Sequence, residues 1–297
     1  GPCPLALQAV QQADAAHYPD PTYARLRAAL AAFHAVDPAR VLLAASASEA
    51  IQRLTAWRAR AGDRRFWTPP HAYGDYAHAA SAWGLERVHE PRLATLAWLC
   101  DPGSPQGQGE SPAAVQAALD GAPRTVVLDR AYAPLRLRGD SALSTAQLDR
   151  VWQLWSPNKS LGLTGVRAAY AVAPAGAEGT VLALQGLAAS WPVGAHGVAL
   201  LEAWATPAVQ QWVAACLPTL RSWKGHHYLL EAMQKLTQPD LHLLIVGDGP
   251  RREFLGEMVE RLNMQDRVTF VGNQDDVVPW LSDMIGSRPM WHSQRFV

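Results

Sequence analysis

The segment Ser156-Pro-Asn-Lys159-Ser-Leu-Gly-Leu-Thr-Gly-Val-Arg167 decides how this chain is interpreted. Its lysine follows a short apolar run and precedes a glycine-rich turn. An isolated lysine is usually solvated, but one at a strand end between hydroxyl groups and glycines suits a buried amine that bonds a carbonyl compound. Such an amine must lose its proton, and burial or neighbouring positive charge promotes that loss. Arg167 is suited to hold a phosphate group through a bidentate contact.

Composition sets the class of protein and excludes several partners. The chain has 297 residues, of which 49% are hydrophobic and 18% charged, as in a globular protein with a substantial core. Its 26 basic and 26 acidic side chains balance, so we expect no nucleic-acid partner and no binding to anionic membranes. No apolar run is long enough to span a bilayer. The 3 cysteines lack metal-ligand spacing, and with no signal peptide this predicts a cytoplasmic protein.

Strand and helix signals alternate along the first two-thirds of the chain. This alternation predicts a mostly parallel sheet covered by helices on both faces, an α/β architecture. The predicted strands are 41–45, 65–68, 95–100, 125–128, 151–155 and 168–172, and the predicted helices are 22–34, 48–60, 73–83, 111–119 and about 194–218. The opening Gly-Pro-Cys-Pro lacks an initiator methionine, so we expect a fragment or a processed chain.

The lysine segment resembles the signature S-x-x-K-x-x-G-x-x-G-x-R of the fold-type-I aminotransferases, which depend on pyridoxal 5'-phosphate (PLP). The resemblance implies a PLP-transferase-like, three-layer α/β/α large domain over residues 1–221. It makes Lys159 the Schiff-base lysine and later the general acid and base at the substrate α-carbon. It also makes Ser156 and Arg167 ligands of the cofactor phosphate.

Asp129-Arg-Ala-Tyr132 resembles the D-E-A-Y motif of the same family. The resemblance makes Asp129 the partner of the pyridinium nitrogen and Tyr132 a donor to the phenolic oxygen of the cofactor. A carboxylate at that place keeps the ring nitrogen protonated, so the ring withdraws electrons from the substrate. Without the resemblance, Asp129 reads as an ordinary cap at the end of a strand.

Three more segments resemble cofactor-binding parts of the family. Pro-His-Ala-Tyr73-Gly-Asp-Tyr76 corresponds to the segment whose aromatic ring stacks on the cofactor, which makes Tyr73 the candidate. The turn at Ala47 and Ser48 corresponds to the phosphate-binding helix start, although the family's usual glycine is absent. In Asp101-Pro-Gly-Ser104-Pro-Gln-Gly107, a serine replaces the usual asparagine of the N-P-x-N-P-x-G loop.

Tyr18-Pro-Asp-Pro21 resembles the Y-P-D-P near the family's N-terminus. In the family this tyrosine reaches the cofactor phosphate of the neighbouring subunit, so the resemblance implies a homodimer. The pattern resembles histidinol-phosphate aminotransferases and the threonine-phosphate decarboxylases of cobalamin biosynthesis. The implied substrate is an amino acid or amino-acid phosphate, with transamination and decarboxylation both left open.

The pattern changes near residue 222. From there to about residue 285 the chain resembles part of the C-terminal Rossmann-like domain of family 4 GT-B glycosyltransferases, followed by an unstructured tail over 286–297. Lys224 corresponds to the lysine that contacts the nucleotide-sugar diphosphate, and Gly247 and Gly249 to glycines that let the backbone approach the nucleotide. A βαβ appendage that merely packs is the alternative interpretation.

Three hypotheses follow. The first is a PLP-dependent aminotransferase or decarboxylase, truncated and weakly active because the domain that supplies the substrate-carboxylate arginine is not recognisable. The second is a nucleotide-sugar-dependent glycosyltransferase fragment. The third is an inactive chimeric binding module. No histidine pattern predicts a metal site.

Overall fold

The computed structural model describes residues 1–103, 109–120, 125–136, 140–216, 226–236, 241–247 and 251–272. These residues fall into two compact units, Pro2–Ala215 and Gly1 with Cys216–Val297. The predicted boundary between residues 221 and 222 and the predicted tail lie outside the described residues. The domain boundaries therefore remain predictions.

The larger unit is built on a seven-stranded sheet in the order β1-β7-β6-β5-β4-β2-β3. Its strands β3, β2, β4, β5 and β6 are parallel to one another, whereas β7 runs antiparallel to both β6 and β1. The mostly parallel sheet predicted from the sequence is confirmed. The strands are β1 Val41–Ala44, β2 Arg65–Trp67, β3 Glu86–Arg87, β4 Leu96–Cys100, β5 Thr125–Asp129, β6 Trp152–Trp155 and β7 Ala169–Val172.

Helices cover both faces of this sheet. Successive residues of β1 alternate between two core clusters: Leu42 and Ala44 pack in one, Val41 and Leu43 in the other. Both faces are therefore buried, as expected for a parallel sheet. The helices are α1 Pro4–Gln11, α2 Ala24–His34, α3 Ala47–Arg60, α4 Gly74–Ala82, α5 Pro112–Leu119, α6 Thr145–Leu148, α7 Glu178–Gln185, α8 Ala195–Trp204 and α9 Pro207–Cys216.

Serine caps fix the starts of two of these helices. The Ser46 side chain accepts a hydrogen bond from the amide of Glu49 at 3.1 Å, which places the start of α3 directly after β1. Ser111 accepts one from the amide of Ala114 at 3.2 Å at the start of α5. These caps satisfy amide groups that have no partner within the helix.

The smaller unit contains a parallel pair of strands and two helices. Its apolar core includes Leu230, Met233, Ile245, Leu255 and Met258. The elements are α10 His226–Lys235, β8 Leu243–Val246, α11 Arg252–Arg261 and β9 Val268–Gly272. Across the described parts of both units, no helix is long and apolar enough to cross a membrane.

Candidate active site

The carboxyl ends of strands β1, β4, β5 and β6 lie at one edge of the larger sheet. Strands β4, β5 and β6 are parallel, and β1 runs in the same direction because β7 is antiparallel to both β6 and β1. Asp129 closes β5, Ser156 follows β6, and Ser46 stands between β1 and α3. Ligands of open α/β sheets bind outside the carboxyl ends of the strands, so this edge is the candidate site.

Asp129 is a buried carboxylate with partners on both oxygens. Its side chain is 4% exposed. Oδ1 accepts a hydrogen bond from the amide of Ala131 at 2.9 Å, and Oδ2 accepts one from the Tyr76 hydroxyl at 2.7 Å. Burial raises the pKa of Asp129, and the two hydrogen bonds and the charge of Lys159 counteract part of this rise.

The charge of the Lys159 amine acts on this carboxylate, and the amine is held by its own loop. Nζ donates to Oγ of Ser156 at 3.3 Å and lies 5.7 Å from the ring centroid of Tyr132. Oγ of Ser156 in turn donates to Oδ1 of Asn158 at 2.8 Å. The Asn158 amide reaches the carbonyl oxygen of Val166 at 3.4 Å, so the lysine turn is tied to the segment that leads into β7.

The start of α3 forms a second part of the site. Ser48 lies in its first turn, and the Ser48 side chain is within hydrogen-bonding reach of the Tyr73 hydroxyl. Burial raises the pKa of Tyr73, while this contact lowers it by a smaller amount. The electrostatic influence of Asp129 on Tyr73 places the two side chains in one neighbourhood.

The charge near the start of α3 is balanced within the protein. Glu49 accepts hydrogen bonds from the amide of Ala45 at 3.2 Å and from the buried guanidinium of Arg53 at 2.7 Å. The Arg53 charge offsets the carboxylate that stands at the positive end of the helix dipole. The amides of Ala47 and Ser48 are therefore suited to an incoming anion.

The structure brings together some predicted residues and leaves others apart. Asp129, Lys159, Ser156 and Tyr132 share one neighbourhood through the contacts above. Arg167 is exposed and forms none of the ion pairs found among the described residues. The expected convergence of amine, carboxylate and guanidinium is thus present for the amine and the carboxylate.

The other predicted residues have different surroundings or fall outside the described residues. Tyr18 is 77% exposed and stacks on Trp191 with centroids 4.5 Å apart. Gly247 follows β8 with a φ of 122°, a value that favours glycine, and its amide donates to the carbonyl oxygen of Gly272 at 2.7 Å. Ser104, Lys224 and Gly249 lie outside the described residues.

A buried ion pair fixes the loop after β4. Asp101 is 2% exposed, and its Oδ1 lies 2.5 Å from Nη2 of Arg136. Its Oδ2 accepts hydrogen bonds from Ser141 at 3.0 Å and from the amide of Ala142 at 2.9 Å. The carboxylate therefore links Arg136, Ser141 and Ala142, which follow β5, to the end of β4.

The residue that sequence reasoning missed is Tyr76. The segment around Tyr73 was identified from the sequence, but only its first tyrosine received a role. Tyr76 follows three residues later, and residues at this spacing lie on one helical face. That spacing is the signal that makes both rings candidates for the same site.

The side chains and backbone amides of the candidate site fit a phosphorylated pyridine aldehyde. They offer a carboxylate for a ring nitrogen, an amine for an aldehyde, phenols for the ring and its oxygen, and a helix start for a phosphate. Over the described ranges, no group of three or more histidine, cysteine, aspartate and glutamate side chains is placed to hold a metal ion.

Comparison with known proteins relates the two parts of the chain to different families. The chain is 30% identical over 246 residues to histidinol-phosphate aminotransferase of Ruegeria pomeroyi, an alignment covering 75% of this chain and 66% of that relative. The chain thus spans slightly less than two-thirds of that relative's length. Residues 198–282 match the family model described as glycosyl transferases group 1.

Solved structures show the same fold. Histidinol-phosphate aminotransferase from Sinorhizobium meliloti, solved in complex with pyridoxal-5'-phosphate, aligns with a TM-score of 0.61 at 21% identity over 79% of this chain and 68% of that one. L-threonine-O-3-phosphate decarboxylase from Porphyromonas gingivalis aligns with a TM-score of 0.55 at 18% identity over 70% of this chain and 68% of that one. At these identities the likeness establishes the architecture.

Proposed function

We propose, since the larger unit has the fold of the fold-type-I PLP-dependent enzymes, that this chain binds PLP and acts on the amino group of an amino acid or amino-acid phosphate. The observation that carries the proposal is the pair formed by Asp129 and Lys159. A buried, doubly hydrogen-bonded carboxylate lies within the electrostatic influence of an amine at the carboxyl edge of the sheet. Perturbed ionisable groups of this kind concentrate at functional sites.

Each part of the site has a defined task. Asp129 holds a negative charge toward the ring nitrogen, and Tyr132 donates to the phenolic oxygen. Tyr73 covers the ring face. Bound PLP supplies an electron-withdrawing ring that stabilises negative charge at the substrate α-carbon.

The amides of Ala47 and Ser48 bind the phosphate group, together with Ser156 and Arg167. The helix start contributes oriented N–H groups. The exposed guanidinium of Arg167 is available for a bidentate contact. Ser104 takes the place of the family's asparagine near the phenolic oxygen.

Lys159 moves the proton at the α-carbon of the substrate. Ser156 accepts a hydrogen bond from Nζ, and Asn158 fixes the Ser156 hydroxyl in turn. This chain of contacts fixes the position of the amine in the turn that follows β6. Transamination and decarboxylation share these tasks and differ in which bond to the α-carbon breaks, so both remain within the proposal.

We expect cofactor uptake to be stronger than turnover. The residues that follow the larger unit match a glycosyltransferase model rather than a domain that grips a substrate carboxylate. We also propose a homodimer, because Tyr18 is exposed and thus accessible to a second copy. Sedimentation of the purified chain tests this: a monomer at every concentration would exclude it.

A spectrophotometric titration with PLP tests the proposed function. The sequence contains lysines at positions 159, 224 and 235 only, which makes matched variants simple. Wild type and Lys235→Ala should both give the visible absorbance of lysine-bound cofactor, because Lys235 is exposed on α10. Lys159→Ala should lose it. A wild-type chain that takes up no PLP would remove the proposal.

The match over residues 198–282 favours a second candidate function, binding of a nucleotide sugar. Titration of the full chain with uridine diphosphate, followed by calorimetry, tests it. Binding that is weakened in Lys224→Ala but retained in Lys235→Ala would support this candidate. Equal behaviour of the wild-type chain and Lys224→Ala would eliminate it.

A further inference from the structure

Tyr76 carries a hydroxyl that the packing of its ring does not require. The side chain has 0% exposure, and its ring stacks on Trp98 with centroids 4.8 Å apart and planes 7° apart. A phenylalanine ring would make the same stack. The hydroxyl instead donates to Oδ2 of Asp129 at 2.7 Å, across 53 residues of sequence.

This hydroxyl is a permanent donor. Burial raises the pKa of Tyr76 well above its ordinary value, and the nearby Asp129 and Cys100 raise it further, so the phenol keeps its proton. The other groups with an electrostatic influence on the carboxylate or its surroundings are Lys159 and Tyr73. A hydrogen bond donated to a carboxylate favours the charged form, which opposes the effect of burial.

The arrangement leaves acceptor capacity on the carboxylate. An ionised carboxylate offers about four acceptor positions, and the Tyr76 hydroxyl and the Ala131 amide occupy two of them. The charge of Lys159 acts on Asp129, so the remaining acceptor positions face the same site as that amine and are available to a donor bound there. The hydrogen bonds from these two donors fix the orientation of the carboxylate and therefore of its remaining acceptor positions.

We propose that Tyr76 is a positioning residue for the cofactor's ring nitrogen, acting through the carboxylate of Asp129. Its hydroxyl keeps that carboxylate ionised and oriented, so Asp129 accepts from a protonated ring nitrogen. The inference rests on the proposed PLP function and adds a residue to it. Tyr73 lies on the same segment and has a different task, at the ring face.

The test is the affinity and visible spectrum of PLP bound to the full-length Tyr76→Phe variant. The variant preserves the ring that stacks on Trp98 and removes only the hydroxyl. Loss of a hydrogen bond to a charged group predicts an about 10-fold weaker affinity for PLP. The visible spectrum should shift as well, because the protonation of the ring nitrogen changes.

A matched control separates positioning from folding. Tyr23 is 6% exposed and donates a hydrogen bond of the same length, 2.7 Å, to the carbonyl oxygen of Val193. Tyr23→Phe thus removes an equivalent buried phenol contact outside the site. It should alter thermal unfolding of the apo chain and leave PLP affinity and spectrum unchanged.

A cofactor analogue in which carbon replaces the ring nitrogen completes the test. The wild-type chain and Tyr76→Phe should bind this analogue equally, since it has no ring N–H for Asp129. An equal loss of affinity for PLP and the analogue would overturn the inference, because it indicates a change of shape alone. Unchanged PLP affinity and spectrum in Tyr76→Phe would also overturn it, while leaving the proposed function in place. A wild-type chain without PLP binding would remove both.

Discussion

The two units of this chain bury different kinds of side chain. Every buried polar or charged residue found among the described residues lies in the larger unit, with Asp101, Asp129, Arg53 and Ser156 among them. The described core of the smaller unit consists of aliphatic side chains and methionines. Burying a polar group is costly unless it has hydrogen-bonding or ionic partners. A region that buries several polar groups therefore contains a specific arrangement of such partners. The larger unit, where buried polar groups have partners, is therefore the place to look for a functional site.

The largest effect should follow from removing the charge of Asp129. Asp129→Asn preserves the shape of the side chain but takes away the negative charge opposite the ring nitrogen. We expect exchange of the substrate α-proton to slow by roughly 100- to 1,000-fold, the range for loss of one preorganised electrostatic contact in an active site. Proton exchange of threonine phosphate and histidinol phosphate in deuterated water, followed by NMR, measures it.

The control for that experiment is Asp149→Asn. Asp149 is 55% exposed and pairs with Arg40 at 3.0 Å. Its removal should leave the exchange rate per bound cofactor unchanged. Equal rates in Asp129→Asn and wild type would show that the buried carboxylate takes no part in the chemistry.

The next largest effect concerns stability of the larger unit. Arg136→Ala leaves the buried carboxylate of Asp101 without its ion-pair partner, and breaking a buried pair costs about 3–5 kcal/mol. Urea unfolding followed by tryptophan fluorescence measures the loss. Arg92→Ala is the matched control, since the Arg92–Glu90 pair is 70% and 53% exposed and should contribute less than about 1 kcal/mol. Similar losses in both variants would contradict the assigned role of Asp101.

A pH effect should also distinguish the two units. Burial and the charge of Arg130 lower the pKa of His34 from 6.5 to about 4. The unfolded chain binds a proton here below pH 6.5, whereas the folded chain binds it only near pH 4. The larger unit is therefore fully stable with respect to this group above pH 6.5, and loses about 2–3 kcal/mol as the pH falls from 6.5 to 4.

Two variants in which glutamine replaces a histidine test the pH dependence of stability between 6.5 and 4. His34→Gln should flatten the dependence of unfolding free energy on pH between 6.5 and 4. His242→Gln should leave it unchanged, because His242 is exposed in the smaller unit, where it contacts Thr269 at 2.8 Å. An unaltered pH profile in His34→Gln would show that the neutral histidine contributes nothing.

The smallest effects are expected in the backbone of the smaller unit. Gly247→Ala forces a side chain into a φ of 122° and should cost about 1–2 kcal/mol. Gly256→Ala, inside α11 with open space around the added methyl group, should stabilise by roughly 0.5–1 kcal/mol. Hydrogen exchange of peptides from residues 226–272 measures both. Changes of the same sign would contradict the geometry at Gly247.

The sequence was sufficient to predict the sheet of the larger unit and most of its helices. Apolar runs bounded by turns located six of its strands, and helical patterns located α2, α3, α4 and α5. Helix α1 was not predicted, because Ala6 and Val10 are buried in a cluster with Leu200 of distant α8. Such a helix depends on tertiary packing, and its short proline-rich start carries little local signal.

The candidate site was predictable only in part, for a related reason. Motifs identified Asp129 and Lys159, and parallel strands bring their loops to one edge. The partners of the buried charges were not predictable, because Tyr76 lies 53 residues from Asp129 and Arg136 lies 35 residues from Asp101. Contacts between distant segments depend on how helices and loops pack against strands, and short motifs do not encode this.

The most direct measurement is the location of covalently fixed cofactor. The full chain is incubated with PLP, reduced with sodium borohydride, digested and mapped by mass spectrometry. Because the sequence contains lysines only at 159, 224 and 235, each has its own diagnostic peptide. We expect stoichiometric label on Lys159 and almost none on the other two. Label spread evenly over the three lysines, or missing from Lys159, would contradict it.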